Sequence, residues 1–196
     1  VPEPDMNAAI EAAKNADLAI IIAGTPDNYE TEGDDRPSMK LPGIQDEFIK
    51  SILDINENSV VVINSGSPVE MPWADKSRAI VQLWLPGQEG GIALANVLFG
   101  TVNPSGKMPI TFPKNLADNP SFNNYPGDKA VKYEEGIYVG YRHYESNRIE
   151  TLFPFGHGLS YTRFDFDSLA SPDSVKIGDE FQASLTITNV GDVSGS

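Results

Sequence analysis

The sequence predicts an α/β fold, a mostly parallel sheet flanked by helices (an α/β sandwich), followed by an incomplete β-sandwich. Three observations predict it. Short continuous apolar runs, "LAIIIAG", "VVVIN" and "IVQLW", recur in the first half of the chain, as parallel strands buried on both faces do. Segments of helical period separate them, and alternation of strand and helix builds a parallel sheet with helices on both faces. Near the C-terminus the period changes to two in "FDFDSL" and "EFQASLTITNV", the mark of half-exposed antiparallel strands.

Taken in order, Asp5 is placed to cap an alanine-rich helix that runs to about Lys14. Leu18–Gly24 is the first strand, and an acidic loop follows it. Pro42 suits the first turn of a second helix, whose Ile44, Phe48, Ile52 and Ile55 recur at spacings of four, four and three and make one apolar face. Val60–Asn64 and Ile80–Trp84 are the second and third strands. The intervening "SGSPVEMPW" is loop or a short helix. "GQEGGIALANVLFG" begins a third helix, with Ile92, Ala95, Leu98 and Phe99 inward and Gly100 as its C-terminal cap. From Pro113 to about Tyr161, Pro, Asn, Tyr and Gly dominate. That stretch has too many aromatics for a linker and too little periodicity for helices, so it reads as an ordered excursion packed over the domain. The expected division is 1–112 for an α/β sandwich domain lacking its N-terminal part, 113–160 for the excursion and interdomain link, and 161–196 for a truncated β domain. Two strands alone do not make a stable domain.

Composition narrows the function classes. With 196 residues, 40% of them hydrophobic, the chain can bury a core and holds one good domain plus part of another. Its 28 acidic against 14 basic residues, a net charge of −14, argue against nucleic-acid and anionic-membrane partners, which need a cationic footprint. No run approaches the roughly 18 apolar residues of a membrane span. The absence of cysteine excludes disulfides, thiolate metal sites and a Cys nucleophile, and leaves the compartment open. "GTVNPSGKM" fails as a phosphate loop: five residues separate Gly100 from Gly106, and Met108 stands where a magnesium-binding hydroxyl belongs. No G-x-G-x-x-G follows a strand, and there is no G-x-S-x-G elbow. His143 and His157 lack metal-ligand spacing and read as packed structural residues. No cofactor and no metal are expected.

Loops at the carboxyl ends of parallel strands are where sites form, and the acidic loop leaves the end of Leu18–Gly24. Asp27, Glu30, Glu32, Asp34 and Asp35 lie within nine residues, with Arg36 as the only nearby cation. Three readings fit. The loop is a solvated charge run, or a cation site whose spacing is not that of an EF-hand. Or one carboxylate is a general acid whose neighbours and Arg36 fix its position and proton affinity. Composition does not choose among them.

Longer motifs do. "TEGDDR" is similar to the E-G-x-D-R element of family 3 glycoside hydrolases and is followed, as there, by an "LP" turn and a helix. "NSGSPVEMPW", "WLPGQEGGIALANVLFGTVNPSGKMPITFP" and "EEGIYVGYRHYE" with "LFPFGHGLSYTRF" resemble the same family in the same order, from about Ala16 to the end. The resemblance is closest to β-glucosidases. It implies an N-terminal (β/α)8-type barrel outside this chain, an α/β sandwich within it, and the first strands of a fibronectin type III-like domain over 161–196. It also implies retaining hydrolysis by two carboxylates, the nucleophile lying in the absent barrel and the acid/base mapping onto Glu32. Asp35 and Arg36 would brace the loop. Glu30 is the runner-up acid, otherwise solvated together with Asp34. The glycines of "PGQEGG" would serve tight packing. The implied substrates are β-glucosides or cello-oligosaccharides, and the chain alone should be inactive. A β-xylosidase of the same family, or a non-catalytic structural or carbohydrate-recognition module, are the alternatives. A phosphorylase or β-N-acetylglucosaminidase fits less well, since the latter tends to take its acid/base from the barrel.

Overall fold

Asp5 caps α1 (Met6–Lys14) as the sequence predicts: its carboxylate accepts the Ala8 N–H at 3.1 Å, satisfying one of the donors that a helix start leaves over. The structure, a computed structural model, describes residues 5–127 and 129–196. It divides into two units, Val1–Gly91 with Met108–His157 and Ile92–Lys107 with Gly158–Ser196.

In the first unit a parallel three-stranded sheet runs in the order β1 (Ala19–Gly24), β2 (Ser59–Asn64), β3 (Ala79–Gln82). The register pairs Ile21 with Val61 and Val61 with Ile80. α1 and α2 (Gln45–Ile55) pack on each other and cover one face. Ile21, Ala23, Val61 and Ile63 meet Ala13, Ile49, Ile52 and Leu53 there. Burial of each of the valine, leucine and isoleucine side chains is worth about 1.5–3 kcal/mol. The expectation that the first strand is buried on both faces is corrected: Ile20 and Ile22 are 44% and 64% exposed. β1 is an edge strand, and both helices that touch this sheet near it sit on its other side. A continuous apolar run carries no mark of which side will be covered.

The second helix begins at Gln45, with Ile44 as its N-cap, so Pro42 lies just before the helix instead of in its first turn. Its buried side chains are Ile49, Ile52 and Leu53, while Ile55 is exposed. The face is therefore rotated from the Ile44–Ile55 stripe, and the acidic Asp46 and Glu47 occupy its first turn, where the helix dipole favours them. β3 ends at Gln82, two residues short of Trp84. Trp84 instead takes φ of 59° and turns its ring edge-on to Phe112.

The described residues from Met108 to His157 belong to the first unit. β4 (Phe112–Pro113) pairs antiparallel with β5 (Thr151–Phe153). Leu116 N–H donates to Glu70 at 3.0 Å, tying the excursion to the loop after β2. It also contains a helix that periodicity did not reveal, α4 (Tyr141–Asn147). It is two turns long and buries only Tyr144, too short a repeat to read. His157 stacks on Phe153 at 5.2 Å, and His143 sits edge-on to Tyr144 at 5.3 Å, the packed roles expected of both.

Gly100 follows α3 (Gly90–Leu98) by two residues, and its φ of 73° suits the predicted C-terminal cap. Ile92 and Phe99, expected inward, are 62% and 81% exposed. The helix is apolar on nearly every side, so its pattern singles out no face. In the second unit β6 (Phe164–Ala170) and β7 (Ser184–Asn189) form a two-stranded antiparallel sheet. No helix among the described residues is long and apolar enough to cross a membrane.

Candidate active site

The acidic loop leaves β1 at the carboxyl edge of the parallel sheet, where β2 also ends. Its base is tightly fixed. The Gln45 side chain accepts Gly24 N–H at 2.8 Å and donates to the carbonyls of Gly24 at 2.9 Å and Pro42 at 3.0 Å. Tyr29 Oη donates to the Lys40 carbonyl at 3.0 Å. Met39 and Leu41 are buried, and the Met39 carbonyl accepts Glu70 N–H at 2.8 Å. A 20-residue connection built this way is not a slack charge run.

Within it, the structure sorts the carboxylates into two kinds. Asp27, Glu32, Asp34 and Asp35 are exposed. Glu30, expected to be solvated, is half-buried and fully engaged. Its Oε2 accepts the Thr25 hydroxyl at 2.6 Å and the Gly66 N–H at 2.9 Å, and its Oε1 accepts the Ser67 hydroxyl. Burial alone would raise its pKa. The hydrogen bonds from Ser67, Thr25 and Gly66, with Arg36 nearby, outweigh that and hold the carboxyl below its ordinary value.

Glu32 occupies the tip of a tight turn. Thr31 and Asp34 pair as an isolated antiparallel bridge, with Glu32 and Gly33 between them. Gly33 has φ of 90° and open space around it. The glycine is there for its left-handed backbone at the third turn position, not for room. The consequence is a carboxylate held out into solvent by a short hairpin. Arg36 closes the far side of this turn by donating Nη2 to the Pro68 carbonyl at 2.8 Å. Its Nη1 is enclosed and meets no acceptor among the described residues. Asp35 and Arg36 join no salt bridge there. Both, with Ser67, border a cavity of about 570 Å³ whose other wall comes from the excursion, including Leu116, Phe122 and Tyr144.

Sequence reasoning singled out this loop but missed the donors that fasten Glu30 within it. The signal was present in "NSGS": hydroxyls and an exposed N–H directly after the neighbouring strand of a parallel sheet, whose carboxyl end must lie beside that of β1. The glycines of "PGQEGG" divide by role. A Cβ on Gly90 would come within 2.5 Å of Pro86 Cγ, so close packing requires that glycine, whereas Gly91 has open space. Among the described residues, no group of three His, Asp or Glu side chains converges as a metal site would require.

A parallel α/β sheet with a carboxylate-bearing hairpin at its carboxyl edge is the site class expected of an enzyme domain. Residues 3–161 match the model of the glycosyl hydrolase family 3 C-terminal domain. The chain belongs to glycosyl hydrolase family 3. It is 48% identical to thermostable beta-glucosidase B of Acetivibrio thermocellus over 100% of its own length and 26% of that protein's. Among solved structures it resembles a beta-glucosidase of Kluyveromyces marxianus in complex with glucose, with a TM-score of 0.90, 41% identity, and coverage of 98% of this chain and 23% of the other. The family 3 beta-glucosidase of Bifidobacterium adolescentis gives a TM-score of 0.91 at 41% identity, covering 98% of this chain and 29% of that one. The chain thus spans about a quarter of the length of the relatives it matches.

Proposed function

We propose that this chain supplies the general acid/base of a retaining β-glucosidase, and that Glu32 is that residue. The observation that carries the reading is the Thr31–Asp34 hairpin, which overlaps the E-G-x-D-R element and projects Glu32 from an otherwise anchored loop. Glu30, the runner-up, is poorly suited to donate a proton, since its hydrogen bonds favour the ionised form. In this reading the nucleophile belongs to an N-terminal barrel domain of the same protein. The two carboxyl groups approach to about 5–5.5 Å across the sugar. Glu32 protonates the departing glycosidic oxygen, then deprotonates the water that releases the glycosyl-enzyme. Arg36 braces the hairpin from the cavity side through its bond to the Pro68 carbonyl; Asp35, expected to share that role, borders the same cavity but has no side-chain hydrogen bond or salt bridge among the described residues. The substrates are β-glucosides or cello-oligosaccharides, a choice supported by relatives named beta-glucosidases, one of them bound to glucose. The division at residues 112 and 160, with a fibronectin type III-like segment over 161–196, is part of the same proposal.

The test is the complete protein carrying Glu32→Gln, with the isolated chain as a control that gives no turnover. Cellobiose and alkyl glucosides, whose leaving groups need a proton, should slow by about 10²–10⁴-fold. A dinitrophenyl glucoside should keep its glycosylation step and show a burst as the covalent intermediate accumulates. Equal slowing of both substrate classes would reject Glu32 as the acid.

A further inference from the structure

We propose that Glu30 is the positioning residue of this site: with Ser67 and Gly66 it fastens the Glu32 hairpin to the segment that follows β2. The inference rests on the reading of Glu32 as acid/base. Its warrant is the way the hairpin is mounted. No side chain from Thr31 to Asp35 makes a hydrogen bond to another described residue, so the hairpin is held only at its two stems. Glu30 is the stem on one side, one residue before the Thr31–Asp34 bridge. Arg36 is the stem on the other. Both end on one three-residue segment: Glu30 on Gly66 N–H and the Ser67 hydroxyl, Arg36 on the Pro68 carbonyl. Thr25, at the end of β1, completes the Glu30 cluster at 2.6 Å. Ser65, which opens the Gly66–Pro68 segment, is 0% exposed, its hydroxyl donates to the Ser67 carbonyl at 2.9 Å, and its carbonyl accepts the Gln82 amide at 3.0 Å. The platform therefore belongs to the rigid sheet, and Glu30 is what carries that rigidity to the hairpin.

A carboxylate suits the task. Two oxygens accept three donors from two loops at once, and charge-assisted bonds of this kind are stronger than neutral ones. A glutamine of the same length can keep most of that geometry; an alanine keeps none. Catalytic geometry is sensitive to this, since a displacement of about 1 Å can cost about 10²-fold in rate.

The experiment compares variants of the complete protein on an alkyl glucoside and on a dinitrophenyl glucoside. Glu30→Ala should lower kcat on the alkyl glucoside by about 10²-fold, with little change in KM and with glycosylation by the dinitrophenyl glucoside spared. Ser67→Ala, the milder variant should Glu30→Ala fold poorly, should shift rates the same way to a smaller extent. Glu30→Gln should recover most of the loss. In a Glu32→Gln background Glu30→Ala should add nothing on the alkyl glucoside, because both changes act through one group. Four results would overturn the proposal. Equal slowing of both substrates by Glu30→Ala would mean a merely structural role. A Glu30→Gln defect as deep as that of Glu30→Ala would mean proton chemistry at Glu30 itself. If Glu32→Gln shows no leaving-group dependence, the reading of the site fails and takes this inference with it; if Glu32→Gln shows it and Glu30→Ala does not, only this inference fails.

Discussion

Val61, Val62 and Ile63 of β2 are 0% exposed, whereas Phe166 of β6 and Leu185 and Ile187 of β7 are 67%, 44% and 58% exposed. Both regions carry aromatic or β-branched residues, and both pair their backbones, β6 with a register shift between Asp167 and Ala170. What differs is cover. β2 lies between two neighbouring strands and beneath α2, while β6 and β7 have only each other within their sheet. Pairing is a local matter of backbone hydrogen bonds; burial needs a second layer. The difference bears on function, because a loop can be aimed only as firmly as the strand it leaves. The acidic hairpin is mounted on β1 and β2, in the covered region.

The comparison is sharpest under truncation. Ile63→Ala should destabilise the first unit by about 2–5 kcal/mol, the cost of emptying a fully buried site. Ile187→Ala should stay within about 0.5 kcal/mol, as exposed substitutions do. Urea titrations of the two variants measure both. Equal costs would mean that the β6–β7 pair buries a face in solution.

A smaller effect is expected in acid. The folded-state pKa of Glu30 lies below its ordinary value of 4.5, burial opposing and the Ser67, Thr25 and Gly66 hydrogen bonds prevailing. A depressed carboxyl contributes stability that is fully present above the ordinary value and is lost as pH falls through the folded one. The stability gap between the wild type and Glu30→Gln should therefore be constant above pH 4.5 and shrink below it. Asp46 works in the opposite sense. Burial raises its carboxyl, with Glu70 adding to the rise against the hydrogen bond from Trp73, so its contribution weakens the fold as pH climbs past 3.8. A gap for Glu30→Gln that ignores pH would mean its hydrogen bonds do not discriminate between the charged and neutral forms.

Much of this architecture was legible in the residues. Three apolar runs marked the three parallel strands, and the crowded carboxylates after the first of them marked the loop. The failures have physical causes. Apolar content does not say which face will be covered, hence Ile20 and Ile22; nor which side of an apolar helix faces inward, hence Ile92 and Phe99. α4 was too short to show a period. Glu30 was read as solvated because its partners, Gly66 and Ser67, lie more than thirty residues away along the chain. Only the alignment of two strand ends brings them together, and a local reading of charge cannot see that.

In the proposed mechanism Glu32, and not a neighbouring carboxylate, moves the proton. Chemical rescue tests it most directly. In the complete protein carrying Glu32→Gln, the covalent intermediate formed from a dinitrophenyl β-glucoside lacks a base to activate water. Azide needs no deprotonation, so it should restore turnover and yield a β-glucosyl azide of retained configuration. Absence of that product, or its appearance with Glu30→Gln and not with Glu32→Gln, would contradict the claim.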